Sequence, residues 1–174
     1  MRRQGLGSAS VKAIARQAGC SPALLYKYFP DQQAVYLGVL TERLGGMTIV
    51  PVTAEDDGDP REQLATIVEQ LMTFYVASFP MSASIFSTPE LLRSWRAGLQ
   101  AKGAGGPRSP IEALARFVEA RLPELDADAT AGLLAGAAFQ AAFLACFEGE
   151  QAVPDAAARA RAYVAAACGD HAPA

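Results

Sequence analysis

The chain has 174 residues, 51% hydrophobic and 19% charged, with a formal net charge of −3. That balance provides apolar material for a sizeable core and excludes a globally disordered chain, and the length suits one large domain or a small head with a larger body. Residues 1–45 carry Arg2, Arg3, Lys12, Arg16, Lys27 and Arg43 against Asp31 and Glu42, a net +4, while the remainder holds nine basic and sixteen acidic residues, a net −7. A basic end beside an acidic body fits a head that meets a polyanion, although small helical heads are often mildly basic and charge alone does not decide.

In chain order, Ser10 to Phe29 (SVKAIARQAGCSPALLYKYF) is the most structured message. Val11, Ile14, Ala15 and Ala18 fall at helical spacing behind a capping Ser10. Gly19 stops that helix, because glycine takes the left-handed conformation at little cost. Ser21-Pro22 then starts a short second helix to about Tyr28, with Leu25 and Phe29 facing inward. Helix, tight turn and short helix is the layout of a helix-turn-helix, whose second helix enters the DNA major groove.

Asp31 caps a further helix through Val35, Tyr36, Val39, Leu40 and Leu44, ending at Gly45-Gly46. Residues 47–58 read as a break. Asp59-Pro60-Arg61-Glu62 is a capping box, and behind it Leu64, Ile67, Val68, Leu71, Met72, Tyr75 and Phe79 form a 3.6-residue stripe ending at Pro80. Ser82 to Ser87 reads as one or two turns, and Thr88-Pro89 opens a helix through Leu91, Leu92 and Trp95. Lys102 to Arg108 is a glycine-rich loop. Ser109-Pro110-Ile111-Glu112 is a second capping box, ahead of Ile111, Leu114, Ala115, Val118 and Leu122 on one face. Asp126 or Asp128 caps the longest apolar stretch, running to Phe147, and Pro154-Asp155 opens an Ala-rich last helix. No alternating strand pattern recurs, so the expected fold is all-α: a helix-turn-helix head over 1–45 followed by a larger helical body over 46–174.

The head resembles the tetracycline-repressor (TetR) family of bacterial transcriptional regulators. The resemblance rests on Ile14-Ala15, Ala18-Gly19-Cys20-Ser21-Pro22, Leu25-Tyr26-Lys27-Tyr28-Phe29 and Ala34-Val35, and covers about Gly5 to Leu40. It implies that Ser10 contacts a phosphate, that Tyr26 and Tyr28 reach the DNA backbone, and that Lys27 meets bases or phosphate. Ser21, Ala23 and Leu24 then occupy the early turn of the recognition helix, where base edges are read; Ala23 and Leu24 offer only apolar contact, for instance to a thymine methyl. Leu24 stands where the family has a smaller or hydroxyl-bearing residue, and Gln32 where a phosphate-binding lysine is usual. Only Met1 to Ala9, with two glycines, precede the motif, too little for the family's first helix. Either the start is assigned too late, which we favour, or the head is thinner.

The body carries no family-specific motif. Ala131 to Phe147 is apolar on most faces yet short for a bilayer and contains Gln140, so a buried helix is expected rather than a membrane span. The resemblance implies a homodimer in which 111–122 and 129–147 pair with their copies as a four-helix bundle. Two heads related by a two-fold axis would read a palindromic operator in double-stranded DNA. Phe74, Tyr75, Phe79, Met81, Phe86, Trp95, Phe117, Phe139 and Phe143 are candidates for lining a small apolar effector's pocket, although each alone reads as ordinary core.

Catalysis finds little support. The single histidine, His171, lies in the tail, and Asp126/Asp128 and Glu148/Glu150 sit at helix ends as solvated caps. No metal site or cofactor is expected. Cys20, Cys146 and Cys168 show no CxxC spacing, which fits reduced thiols in a cytoplasmic protein, and Met1-Arg2-Arg3 is followed by no apolar run of an export signal. The sequence therefore points to a ligand-responsive DNA-binding repressor, not an enzyme. The alternative is a dimeric apolar-ligand-binding or protein-interaction module that has lost DNA binding.

Overall fold

The computed structural model describes residues 11–29, 34–35, 58–101, 103 and 106–169. Its described elements are all helices: α1 Val11–Gln17, α2 Pro22–Tyr28, α3 Pro60–Phe86, α4 Pro89–Ala101, α5 Ser109–Arg121, α6 Ala127–Phe147 and α7 Ala156–Ala167. No strand occurs among the described residues, so the all-α expectation holds. Ala34 and Val35 are helical, and Val35 is buried. The cap expected at Asp31, the rest of that helix, and the break at 47–57 lie outside the described residues.

The chain divides into two compact units, one of Met1–Met47 and Ala77–Gly106, the other of Thr48–Val76 and Pro107–Ala174. In the second unit, Leu64, Val68, Leu71 and Met72 of α3 pack with Leu114 and Val118 of α5, the alanine face of α6, and Ala160 and Val164 of α7. The apolar stripes read at 64–72, 111–122 and 131–147 therefore meet in one core. In the first unit, Met81 and Ile85 of α3 pack with Leu91 and Trp95 of α4, and Val11 and Ala15 of α1 are buried.

Pro80 does not end its helix: α3 continues to Phe86, so the separate turn expected at 82–87 is part of it. An internal proline removes one backbone bond and crowds the preceding turn, at a cost of about 3 kcal/mol. Here Met81 and Ile85 extend the buried stripe beyond the proline, and each such side chain contributes about 1.5–3 kcal/mol when buried, enough together to hold the helix intact. The carbonyl that loses its helical donor is that of Val76, four residues back. The Cys146 thiol donates to it across 4.0 Å, a weak S–H···O bond from α6. The Pro80 carbonyl itself accepts the Ser84 hydroxyl at 2.9 Å.

The caps divide. Asp59 Oδ1 accepts the Arg61 N–H at 3.0 Å, while Glu62 ion-pairs with Arg161 of α7 at 3.0 Å rather than closing a capping box. Asp126 Oδ1 accepts the Ala129 N–H at 2.9 Å, which decides between the two candidate aspartates. The box expected at Ser109 does not form: α5 starts one residue early, with Arg108 in a helical conformation at the cap and no side-chain bond there. Before α7, Asp155 is left-handed (φ 52°) and likewise makes no capping bond, a conformation Asp tolerates better than most residues.

Candidate nucleic-acid interface and helical body

Two local devices fix α2 against α1. At the end of α1, the Gly19 N–H donates to the Arg16 carbonyl at 3.3 Å and the Cys20 N–H to the Ala15 carbonyl at 2.9 Å. This pair of crossing bonds is a Schellman motif, and it needs the left-handed residue that Gly19 supplies at φ 67°. Two residues on, Ser21 adopts an extended conformation and its Oγ accepts the Leu24 N–H at 3.1 Å, with Pro22 opening the helix. The capped Ser21 hydroxyl keeps its own proton free to donate outward. Phe29 closes the helix through its N–H to the Leu25 carbonyl at 2.9 Å.

The side chains sort accordingly. Leu25 and Phe29 are half-buried and Ala15 is fully buried, whereas Ala18, read as part of the inward stripe, is exposed. Ser21, Ala23, Leu24, Tyr26, Lys27 and Tyr28 are all exposed on the short α2. Two tyrosines at this level of exposure, 48% for Tyr26 and 71% for Tyr28, are unusual for large ring side chains. Lys12, Arg16 and Lys27 are exposed, and no acidic residue interrupts 11–29. Ser10 and Gln32, the remaining candidate DNA contacts, lie outside the described residues.

Residues 1–39 match the family model described as bacterial regulatory proteins, tetR family. Over these residues the head is similar to that of TetR-family regulators. No curated protein and no solved structure matches the chain. The family match supports a DNA-binding transcriptional regulator, the class to which the helix-turn-helix pattern points.

The aromatic residues read as pocket candidates fall in both units. Phe74, Tyr75, Phe117, Phe139 and Phe143 belong to the second unit, while Phe79, Met81, Phe86 and Trp95 belong to the first. Tyr75 stacks edge-on with Phe139 at 5.4 Å and tilted on Phe74 at 5.4 Å. Phe117 packs against the main core. Burial pushes the Tyr75 hydroxyl above its ordinary pKa and does the same to the Cys146 thiol. Phe86, Phe139 and Phe143 are exposed, and only Trp95 and Met81 are buried. Trp95 sits with its indole Nε1 buried and without a partner among the described residues, a feature no periodicity signals.

The unusual surface of the body is on α6. Its buried face is Thr130, Ala131, Leu134, Ala135, Ala138, Ala141, Ala142 and Ala145. The opposite face presents Leu133 (67% exposed), Phe139, Phe143, Leu144 and Phe147 (80% exposed), again at helical spacing. Phe143 and Phe147 stack on each other at 6.4 Å. Gly132 and Gly136 lie on this face too, and a methyl group on either would meet nothing within 4 Å. Among the described residues α6, 21 residues long, is the one helix long and apolar enough to cross a membrane, with mean hydropathy 1.7 over an 18-residue window. One of its faces is nevertheless built into the core of the second unit, as a core helix requires. No cluster of three or more potential metal ligands occurs among the described residues, and His171 lies outside them.

Proposed function

We propose that the protein is a homodimeric transcriptional repressor whose two helix-turn-helix heads hold a palindromic operator and which a small apolar effector releases. The observation that carries the DNA-binding half of this reading is α2: all six of its described candidate contacts project outward from a helix locked by a Schellman turn and a serine cap. In this reading residues 1–45 act as the head and 46–174 as the effector-binding and dimerisation body of a cytoplasmic regulator. Ser10, Tyr26, Tyr28 and Gln32 position the duplex through phosphate, and Ser21, Ala23, Leu24 and Lys27 face the groove.

The two apolar faces of α6 support the dimer. A helix apolar on opposite sides must be covered on both, and a self-complementary patch related by a two-fold axis covers itself. Two short recognition helices then read two half-sites about one helical turn or more apart. The effector acts by favouring a spacing of the heads that misfits DNA, and can shift the equilibrium only by its differential affinity for the two states.

Fluorescence anisotropy of the full chain on DNA from its own promoter region, at two salt concentrations, tests the reading beside Tyr26→Phe and Lys27→Ala. Salt-sensitive, sequence-selective binding weakened by both substitutions is the expected result. Binding indifferent to sequence and to both changes would remove the repressor reading.

A further inference from the structure

The outward face of α2 has an uncommon chemistry for a helix that meets DNA. Its sequence, PALLYKY, contains no Arg, Asn or Gln, the side chains that grip guanine and adenine edges with two hydrogen bonds. At about 3.6 residues per turn, the half-buried Pro22, Leu25 and Phe29 mark one side of the helix. The opposite direction falls among Ala23, Leu24 and Lys27, with Tyr26 and Tyr28 on the two flanks. The middle of the exposed face therefore offers one methyl, one isobutyl group and one ammonium. Leu24 is 43% exposed, and its N–H is held by Ser21 Oγ at 3.1 Å. Helical side chains lean toward the helix N-terminus, so the isobutyl group overhangs the first turn, the part of a recognition helix that reaches base edges. Ala23 ends at Cβ and reaches less far.

We propose that Leu24 reads the C5-methyl group of a pyrimidine in the major groove of each half-site, so that thymine is preferred and 5-methylcytosine replaces it better than cytosine does. This rests on the DNA-binding reading above and gives the operator one chemical requirement. An isobutyl group laid against the N7 and O6 of guanine, the N7 and N6 of adenine, or the N4 of cytosine takes polar atoms from water and returns no hydrogen bond. The C5-methyl is the apolar group that base pairs display in that groove, and contact there removes apolar surface of both partners from water. Uracil matches thymine in every hydrogen-bonding atom and lacks only this methyl, so exchanging the two isolates the contact.

The test scans the duplex from the protein's own promoter region, replacing each thymine in turn by deoxyuridine and following binding of the full chain by fluorescence anisotropy. One thymine per half-site is expected to stand out. Its replacement should weaken binding about fourfold, and about fifteenfold when both half-sites carry it, the scale of one buried methyl group each. With a C·G pair at the same position, C5-methylation of the cytosine should restore about fourfold. Leu24→Ala should bind the thymine and deoxyuridine duplexes equally at that position, with circular dichroism confirming an unchanged fold. Lys27→Ala should lose affinity for both duplexes and keep their ratio. Sequence-selective binding indifferent to every deoxyuridine, a thymine preference that survives in Leu24→Ala, or equal affinity for cytosine and 5-methylcytosine would overturn the proposal and leave the repressor reading intact; the first and last of these need no variant. Absence of sequence-selective binding to DNA would remove both.

Discussion

Leu133→Ala isolates the contribution of the outward face of α6. Leu133 is 67% exposed in the single chain, so shortening it removes no intramolecular packing of consequence. The change deletes three carbon atoms, each worth about 0.8 kcal/mol on full burial. Two-thirds of that, counted once per subunit in a two-fold interface, is roughly 3 kcal/mol. Association recovers only part of such area-based energy, so the dimer dissociation constant should rise between about tenfold and two-hundredfold. Sedimentation equilibrium across a concentration series reads this directly, with circular dichroism confirming an unchanged fold. In the single chain the shorter side chain should leave the melting temperature almost unchanged, because alanine is the better helix former. A dimer constant unaltered by Leu133→Ala, or an unmodified protein that stays monomeric at high micromolar concentration, would refute the assignment of this face to a second copy.

Four further outcomes follow from individual contacts. Lys27→Ala should weaken operator binding at all sequences and lower the slope of log K against log salt by about one per head, read by anisotropy; Tyr26→Phe should cost about fivefold, one hydrogen bond, without changing that slope. Gly19→Ala should destabilise the head by about 1–2 kcal/mol through its left-handed φ alone, since the added methyl meets nothing within 4 Å; Gly19→Asn should cost less, and hydrogen exchange at Cys20 measures both. Asp126→Ala removes the cap on the Ala129 N–H and should lower the stability of the fold by about 1 kcal/mol in urea titration. Alkaline stability should fall once pH passes 9.0, where thiols of the unfolded chain ionise while Cys146, its pKa raised by burial, keeps its proton. Tyr75 adds the same sign of effect above 10.0, because in each case the folded state binds more protons than the unfolded one; Cys146→Ser and Tyr75→Phe should each flatten part of the decline in thermal melts.

What could be read from the sequence was what depends on local chemistry and periodicity. α2 starts and ends where Ser21-Pro22 and Tyr28 place it, because cap, proline and glycine act within a few residues of themselves. The stripe from Leu64 to Met72 is buried as its spacing requires. Where the reading failed, a long-range contact had outvoted a local signal. Pro80 is a strong local stop, yet Met81 and Ile85 have partners in Leu91 and Trp95 that no window around the proline reveals. Ser109 lost its cap because Arg108 was drawn into the helix, and Glu62 closes on Arg161, ninety-nine residues away, instead of its own helix terminus. The aromatic residues entered the sequence reading only as a composition. Their separation into a buried Trp95, a Tyr75–Phe139 pair and an exposed α6 row appears only once neighbouring helices are in place.

The head and the α6 face also constrain each other quantitatively. From α1 and α2, the exposed cations available to phosphate are Lys12, Arg16 and Lys27, three per chain. At about 0.9 in salt slope per neutralised phosphate, a single head can draw at most about 3 from these helices, and two heads about 5. So small a charge contribution leaves one seven-residue recognition helix with little non-specific affinity and few base contacts. Linking two heads makes the second contact intramolecular and raises avidity without any new cation. The apolar row on α6 is where that linkage would come from, which joins a hydrophobic surface far along the sequence to the electrostatics of the first thirty residues. A salt slope measured on operator DNA at protein concentrations above and below the dimer midpoint should therefore change by nearly a factor of two. A slope that does not depend on protein concentration across that midpoint would mean that the α6 face and the DNA-binding head serve separate ends.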